Sequence, residues 1–392
     1  MSTTTQQFDV EAAVLDRYKQ GAREVEPRLC CASTNYDKQY LQVIPQEIIN
    51  KDYGCGDPTV HVGSGETVVD LGCGAGKICY ILAQKVGANG RVIGVDFNDE
   101  MLDLARRYQP QISSELGYDN VHFVKGRIQD LALSLGKVQA YLDERPIQST
   151  EDLIAFDAEC ERLRAQEPLI KDGTVDVVVS NCVLNLVKSL QKTQLFSEIF
   201  RVLKRDGRAV ISDIVSDEDP TESMLNDPDL WSGCIAGAFR EDSFLDMFAQ
   251  AGFYGIEILT RQEEPWQVID GIEFRSMTVR AYKGKEGPCL ERNQAVIYNG
   301  PWEKVIDDDG HTLNRGQRMA VCDKTYRIYT NPDGPYAADI TAMSPLEPIP
   351  LDEAKPFACS ASALRHPRQI KGLDYKETRV AEGDCCGPDG CC

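Results

Sequence analysis

The sequence predicts an α/β protein: a mainly parallel sheet with helices on both faces, an N-terminal segment before it and a smaller C-terminal α+β domain after it. Apolar, strand-like runs alternate with helical stretches from residue 66 onward, which is typical of parallel sheets buried on both faces. A glycine-rich turn joins the first such strand to the first helix. The chain has 392 residues, 42% of them hydrophobic, which is enough for a full α/β domain and a second, smaller one.

The first segment, residues 1–60, has helical spacing of apolar positions over 9–20 and a short helix over 45–50. Cys30 and Cys31 lie between them, and we expect this segment to form a lid. The sheet domain is expected over residues 61–283. Its elements are strand 66–71, helix 76–86, strand 91–96, helix 99–108, strand 121–124, strand 175–180, helix 191–204 and strand 208–213.

Two regions are less regular. Residues 131–171 form a long connection with a helix over 149–166, capped by Ser149. One side of this helix is predicted to be apolar: Leu153, Ile154, Phe156, Cys160 and Leu163. We interpret the connection as a structural surface insertion. The C-terminal domain, residues 284–392, contains a strand over 296–298 and ends in a cysteine-rich segment, 385–392. That end is expected to be a flexible tail, with metal binding as the alternative.

Composition limits the partners. The formal net charge is −20, and no local basic patch offsets it, so nucleic acid and anionic membranes are not expected to bind. The N-terminus has no basic, signal-like start and no apolar run is long enough to span a bilayer. We therefore expect a cytoplasmic protein. Its 15 cysteines should be largely reduced there and serve as ligands, redox thiols or core residues.

The most informative stretch is 68–77, where a buried strand turns through a glycine loop into a helix. The loop glycines are Gly72, Gly74 and Gly76. Lys77 replaces the third glycine of a dinucleotide fingerprint. Asp70 ends this strand, and Asp96 ends the next one, 20 residues after the last loop glycine, where an acid can hold ribose hydroxyls. The pattern indicates a nucleotide-cofactor turn; glycines needed only for packing are the alternative.

Three cysteines fall on loops that can converge over this turn. Cys182 follows the strand 175–180, at the carboxyl edge where ligands of α/β sheets bind. Cys55 lies between two glycines, which would let the backbone expose its thiol, and Cys234 lies in a Trp-Ser-Gly-Cys run. Each alone is typical of a small buried hydrophobe. Their shared placement makes them candidate ligands.

The motifs resemble class I S-adenosylmethionine methyltransferases and, over nearly the whole chain, the arsenite methyltransferases among them. The motifs are Tyr53-Gly54-Cys55-Gly56, Asp70 to Gly76, Ser180-Asn181-Cys182-Val183-Leu184-Asn185, Trp231 to Gly237, Val296-Ile297-Tyr298-Asn299-Gly300 and Cys385-Cys386-Gly387. The resemblance implies a Rossmann-like, seven-stranded class I methyltransferase sheet. A helix near 244–253 and an antiparallel pair of strands, 255–260 and 276–282, would close it.

The resemblance also implies the site. Trivalent arsenic would be held by Cys55, Cys182 and Cys234, while Cys30 or Cys31, left open, would act in the first methylation and in redox cycling. The implied S-adenosylmethionine-binding residues are Asp70, Gly72, Gly74, Gly76, Asp96, Phe97, Met101, Gly126, Arg127, Ile128 and Asn181. Arsenite and methylarsenite would be substrates, with thioredoxin or glutathione as reductant, for arsenic biotransformation and detoxification.

The chemistry of arsenic agrees with this residue set. Trivalent arsenic is soft and exchanges hydroxyls for thiolates, leaving a lone pair as nucleophile, so no general base is needed. The four histidines lie outside the cofactor motifs. Two other functions stay open: a methyltransferase for a small organic acceptor such as a quinone or sterol precursor, and a metalloid-sequestering protein with a vestigial donor fold. The number of methyl groups added, the product and the oligomeric state are also left open.

Overall fold

The structure, a computed structural model, describes residues 9–26, 36–51, 53–359 and 363–371. The chain divides into two compact units, Met1–Gly284 and Lys285–Cys392. Cys30, Cys31 and the 385–392 segment lie outside the described residues, so the predictions for them stay predictions. Within the described ranges, no helix combines the length and the apolar character needed to cross a membrane.

A mixed sheet forms the centre of the first unit. Its strands are β1 (Thr67–Leu71), β2 (Arg91–Asp96), β3 (Val121–Lys125), β4 (Val175–Asn181), β5 (Leu203–Ser216), β6 (Phe239–Arg240), β7 (Tyr254–Arg261), β8 (Gln267–Ile269) and β9 (Ile272–Tyr282). The spatial order of the seven main strands is β3-β2-β1-β4-β5-β9-β7, with β9 antiparallel to both of its neighbours. The predicted α/β fold is confirmed; the two short strands, β6 and β8, were not predicted.

Helices cover both faces of this sheet. They are α1 (Val10–Arg23), α2 (Lys38–Leu41), α3 (Gln46–Asn50), α4 (Lys77–Val86), α5 (Asp99–Leu116), α6 (Leu135–Glu144), α7 (Thr150–Gln166), α8 (Lys192–Val202), α9 (Glu222–Leu225), α10 (Pro228–Ser232) and α11 (Glu241–Ala251). Short 3-10 turns occur at Pro58–His61, Leu184–Leu186 and Ser189–Gln191.

The two faces have separate apolar cores. On one face, α4 and α5 pack on β1 to β3, where the rings of Tyr80 and Phe123 meet edge to face at 5.6 Å. On the other, α8 and α11 pack on β4 and β5, where Phe196 meets Phe248 at 4.8 Å. Burial of these side chains supplies the main stabilising free energy. It also fixes the carboxyl ends of β1, β2 and β4 side by side.

The helix predicted over 99–108 continues to Leu116, so its predicted end is wrong. Pro110 lies inside α5, and its ring removes one intrahelical hydrogen bond. Ile112, only 1% exposed, keeps the last turns packed on the core. Gly117, with φ 80°, then ends the helix in the left-handed conformation that glycine adopts readily.

The insertion helix α7 is correctly capped but only partly amphipathic. Ser149 Oγ accepts the N–H of Asp152 at 3.1 Å. Leu153 and Ile154, however, are 46% and 69% exposed, so their assignment to the apolar side is wrong. Cys160 and Leu163 are buried against α6 and its surroundings. The helix is therefore anchored through its carboxyl-terminal half.

The second unit contains several small antiparallel sheets. Its elements are β10 (Leu290–Glu291), β11 (Ala295–Tyr298), β12 (Lys304–Ile306), β13 (Thr312–Asn314), β14 (Arg318–Ala320), α12 (Asp323–Thr330), β15 (Ile340–Met343), β16 (Lys355–Pro356) and α13 (Pro367–Lys371). Strand β11 lies between β14 and β15, β10 pairs with β16, and β12 pairs with β13. The strand predicted over 296–298 is confirmed.

Candidate functional site

The glycine loop after β1 turns tightly under the start of α4. The three loop glycines all have positive φ: Gly72 69°, Gly74 50° and Gly76 86°. A Cβ on Gly72 would lie 2.3 Å from Val183 Cγ1, and one on Gly76 would lie 2.8 Å from the Phe123 ring, whereas Gly74 has nothing within 4 Å. All three positions favour glycine for backbone conformation, and Gly72 and Gly76 are also needed for packing, while Gly74 borders open space.

Asp96, at the end of β2, joins the second strand to this loop. Its carboxylate accepts the N–H of Gly74 and the N–H of Asn98, each at 2.9 Å, and burial raises its pKa. Asn98 caps α5 as predicted, because its Oδ1 accepts the N–H of Met101. Its buried Nδ2 has no hydrogen-bond partner among the described residues. An unpaired donor beside a carboxylate suits a polar ligand.

A single cleft runs along the carboxyl ends of β1, β2 and β4. The predicted cofactor residues that line it are Asp70, Gly72, Gly74, Asp96, Phe97, Met101, Arg127, Ile128 and Asn181. Gly76 and Gly126 are not among its lining residues; a Cβ on Gly126 would lie 2.4 Å from Leu169 Cδ2. Arg127, one of the predicted cofactor residues, pairs with Glu11 of α1 at 3.2 Å.

Residues that sequence analysis missed also line the cleft. Glu11, Val14 and Tyr18 enter it from α1. Their spacing of three and four residues is helical, but that spacing alone could not show which structure the helix face meets. Lys77 also lines the cleft, and its Nζ lies 3.9 Å from the centroid of the Tyr36 ring. The N-terminal segment thus contributes one wall.

The Asn181 side chain ties the Cys55 loop to the end of β4. Its Oδ1 accepts the N–H groups of Cys55 and Gly56 at 2.8 and 3.0 Å, and its Nδ2 donates to the Gly56 carbonyl at 2.7 Å. A Cβ on Gly54 would lie 2.2 Å from Asn181 Nδ2, and one on Gly56 would lie 2.5 Å from Ser212 Oγ. The flanking glycines therefore permit close approach. They do not expose the thiol, since Cys55 is 6% exposed, and that interpretation was wrong.

Cys182 and Cys234 both occupy unusual backbone conformations. Each has φ 65°, a region that non-glycine residues rarely adopt. The Cys182 N–H donates to the Ser212 carbonyl at 2.8 Å, and the Cys234 thiol donates to the Cys182 carbonyl at 3.3 Å. Asn185 donates to the Cys234 carbonyl at 3.2 Å. Hydrogen bonds between the two loops thus hold both cysteines in strained positions.

The three predicted ligands share one buried apolar cluster, and we call Cys55, Cys182 and Cys234 the first-unit thiols. They are 6%, 3% and 4% exposed and pack with Ile214, Phe274 and other apolar side chains. Cys182 also lines the cleft. Within the described ranges, two other groups of three ligating side chains bring their ligand atoms within 4.8 Å of one another. The first-unit sulfurs do not form such a group, so binding of one ion by all three requires their loops to approach further.

The remaining thiols of this region are poor nucleophiles. Burial raises the pKa of Cys73 to about 11 and raises that of Cys79 well above its usual value. The Cys79 thiol donates to Asp70 Oδ2 at 3.2 Å. Since the thiolate is the ligand and nucleophile, Cys73 and Cys79 act as packing residues at the glycine loop.

A buried acid fixes the loop that carries Cys182, and sequence analysis missed it. Asp213 Oδ2 accepts the Leu184 N–H and its Oδ1 accepts the Ile214 N–H, both at 2.8 Å. Burial raises the pKa of Asp213 to about 7 and lowers that of Lys192 to about 8. Lys192 Nζ donates to the Gly237 carbonyl at 2.5 Å. Asp213 follows Ser212 within an apolar strand, and this polar residue was the signal available in the sequence.

Comparison with known proteins finds similarity to methyltransferases. Residues 63–163 and 158–252 match a family described as methyltransferase domain, and residues 285–375 match a domain of unknown function. The arsenite methyltransferase of Aquipseudomonas alcaligenes is 29% identical over 79% of this chain and 83% of its own length. The arsenite methyltransferase of Mus musculus is 26% identical over 90% and 88%, and that of Homo sapiens 27% over 91% and 87%.

A solved structure supports the fold. The crystal structure of an arsenic(III) S-adenosylmethionine methyltransferase from Chlamydomonas reinhardtii aligns with a TM-score of 0.52, at 24% identity, over 87% of this chain and 99% of that one. The first unit therefore has a methyltransferase-domain fold. The resemblance to the arsenite methyltransferases is confirmed over most of the chain.

Proposed function

We propose that this chain is an S-adenosylmethionine-dependent arsenite methyltransferase whose first-unit thiols hold trivalent arsenic. One observation carries the proposal. Cys182 lines the cleft that also contains the glycine loop and Asp96, and it shares a buried cluster with Cys55 and Cys234. A soft metalloid held there would lie beside a methyl donor. The similarity to arsenite methyltransferases over most of the chain supports the same substrate.

The cleft residues fit the donor. Gly74 borders open space, Asp96 offers a carboxylate, and the buried Asn98 Nδ2 lacks a partner in the described part of the chain. We propose that Asp96 accepts the ribose hydroxyls, that Asp70 and the glycine loop hold the amino-acid end, and that Ile128 borders the adenine. S-adenosylmethionine, when bound, would supply an electrophilic methyl group that the arsenic lone pair attacks, with the donor's sulfur leaving as a neutral thioether and no proton removed.

The thiols have a different task. Arsenous acid exchanges its three hydroxyls for three sulfurs, and each hydroxyl leaves as water with one thiol proton. The apolar cluster around the sulfurs excludes water, and the hydrogen-bonded loops set the direction of the lone pair. Closure of the Cys55 loop on the other two cysteines would bring the third sulfur within bonding range. No general base is required for methyl transfer, because the nucleophile is the arsenic lone pair, which carries no proton.

Two further parts of the proposal concern redox chemistry. Methyl transfer oxidises arsenic to the pentavalent state, so a thiol reductant must return it to the trivalent state before the next round. We propose thioredoxin or glutathione for this step, with Cys30 or Cys31 as the exchanging thiol in the first methylation. Such chemistry suits a reducing compartment, namely the cytoplasm.

The decisive experiment replaces Cys182 with Ser. Oxygen is a harder ligand than sulfur, so Cys182→Ser should methylate arsenite and methylarsenite at least about 100-fold more slowly, which is about 2.7 kcal/mol of barrier. Arsenic species are separated by chromatography after incubation with donor and reductant. Cys160→Ser, in the insertion helix α7, is the matched control and should retain the wild-type rate.

Folding and donor binding of the Cys182→Ser variant are checked by circular dichroism and calorimetry. A folded, donor-binding variant that methylates methylarsenite at the wild-type rate would show that the three-thiol site is wrong. If the wild-type chain methylates a quinone or sterol precursor and does not methylate arsenite, the proposed substrate is wrong.

A further inference from the structure

A second group of three cysteines lies in the C-terminal unit. The sulfurs of Cys289, Cys322 and Cys359 all lie within 4.8 Å of one another, although the residues are far apart in sequence. We call them the second-unit thiols. Cys322 is completely buried, whereas Cys289 and Cys359 are half-buried. The group therefore combines one buried residue with two partly exposed residues.

Strand pairing brings two of these cysteines together. Strands β10 and β16 are antiparallel, with Leu290 opposite Pro356. The Phe357 N–H donates to the Cys289 carbonyl at 2.9 Å and extends this pairing by one step. Cys359 follows two residues later on the same segment. Its proximity to Cys289 is thus a consequence of backbone register.

The third cysteine begins a helix. Cys322 is the N-cap of α12, where its sulfur accepts the Thr325 N–H at 3.4 Å and lies 3.2 Å from the Thr325 hydroxyl. Serine, threonine, asparagine and aspartate are the usual N-caps. The start of α12 therefore fixes the position of this sulfur through its contacts with Thr325.

The pKa values of the other two thiols, Cys289 and Cys359, are shifted in opposite directions. Burial raises the pKa of Cys289, but hydrogen bonds from Cys359 and Cys322 and the nearby Lys324 outweigh it, so that the net pKa lies below the usual value. Burial, together with the hydrogen bond to Cys289, raises the pKa of Cys359. These hydrogen bonds link the three side chains to one another.

We propose that Cys289, Cys322 and Cys359 form a second binding site for trivalent arsenic, within the C-terminal unit and composed of other residues than the proposed catalytic site. Three sulfurs match an ion that makes three bonds and keeps a lone pair. Zinc prefers four ligands, and the group contains no fourth Cys, His, Asp or Glu among the described residues.

Binding requires no oxidant or reductant. Three As–O bonds of arsenous acid break and three As–S bonds form, and each hydroxyl leaves as water with one thiol proton. Arsenic stays trivalent throughout. The site goes beyond the proposed function, because arsenic binding here needs no methyl donor and no residue of the cleft.

The test counts arsenic atoms on the full-length, reduced chain. Protein is treated with arsenite, separated from free arsenic by gel filtration and analysed for arsenic and sulfur by mass spectrometry. Replacement of all three second-unit thiols by Ser should remove one arsenic per chain. Cys289→Ser alone, at a half-buried position, should weaken that site at least tenfold without unfolding the unit. Cys160→Ser is the control and should leave the count unchanged.

A second experiment distinguishes this site from the proposed catalytic site. A Cys55→Ser/Cys182→Ser/Cys234→Ser variant should be inactive but keep the second-unit arsenic, with three sulfur neighbours in its X-ray absorption spectrum. An unchanged count after Cys289→Ser and after the triple second-unit replacement would overturn the inference. The inference would also be overturned if these cysteines retained zinc with four ligands in the X-ray absorption spectrum. If that catalytic-site variant still methylates while the second-unit count falls as expected, only the proposed function fails.

Discussion

The two three-cysteine groups of this protein are built by different means. Two of the first-unit thiols, Cys182 and Cys234, lie on strained backbone with φ 65°, and all three are at most 6% exposed. Cys322 of the second unit has an ordinary φ of −72°, and its two partners are half-buried. Hydrogen bonds between loops place the first group, whereas strand pairing and a helix start place the second.

This difference separates a site that must orient its ligand from one that needs only to hold it. Backbone strain at one residue costs on the order of 1–3 kcal/mol and persists only where surrounding contacts enforce it. In the first unit, Asn185 and the Ser212 carbonyl enforce it beside the cleft. Methyl transfer depends on the direction of a lone pair, which justifies such strain. Simple binding does not require it.

The largest effect is expected from a substitution that disturbs only the Cys55 loop of the first-unit thiols and leaves the second-unit thiols unchanged. In Gly54→Ala, the new Cβ would lie 2.2 Å from Asn181 Nδ2, so the amide must move and its bonds to the Cys55 loop weaken. We expect methylation to fall about 100-fold or more, about 2.7 kcal/mol of barrier, while the second-unit thiols still bind arsenic. Turnover and arsenic stoichiometry are measured on the same sample.

The matched control is Gly136→Ala in α6, where the nearest atom to the new Cβ, Ser134 Oγ, is 3.9 Å away. This change should leave turnover unaffected. Wild-type methylation by Gly54→Ala would mean that the Asn181 contacts do not position Cys55.

A smaller effect is expected on the donor side of the cleft. Asp96→Ala removes the proposed acceptor of the ribose hydroxyls, and hydrogen bonds to a charged partner are worth roughly 1.5–3 kcal/mol each. Donor affinity, measured by calorimetry, should fall at least about tenfold, and arsenite binding by both thiol groups should persist. Asp103→Ala, whose side chain is 73% exposed on α5, is the control. Equal donor affinities of Asp96→Ala and wild type would remove Asp96 from the site.

The last expected effect concerns stability alone, as a change in the pH dependence of the first unit. Burial raises the pKa of Asp213 to about 7 from 3.8, so between these values the folded chain holds a proton that the unfolded chain releases. The unfolded state binds fewer protons there, and stability therefore falls as the pH rises. The side chain introduced by Asp213→Asn cannot ionise. The stability of this variant should therefore not show the decline with rising pH.

Denaturant unfolding at pH 5 and pH 8 measures the pH dependence of the free energy of unfolding. The free energy of unfolding of Asp213→Asn, relative to wild type, should be higher at pH 8 than at pH 5 by on the order of 2 kcal/mol. Lys192, with its pKa lowered to about 8, contributes little over this range. A relative stability that does not change with pH would show that Asp213 is ionised in the folded state throughout.

Local sequence patterns determined much of the first unit. The alternation of strands and helices, the glycine turn, the Asn98 and Ser149 caps and the placement of Cys182 just beyond β4 all depend on residues within a few positions of one another. Periodicity and capping act over that distance, so they could be predicted without knowledge of the rest of the chain. The resemblance of the motifs to those of a known family named the remaining site residues.

The tertiary structure decided what depends on distant neighbours. Only the packing of Asn181 and Ser212 explains the glycines beside Cys55. Only burial of Ile112 shows that α5 passes through Pro110. The second-unit thiols come from three segments whose spacing fits no standard ligand motif, and they meet because β10 pairs with β16 near the start of α12. Contacts between segments far apart in sequence depend on how whole elements pack, and no short pattern in the sequence encodes that.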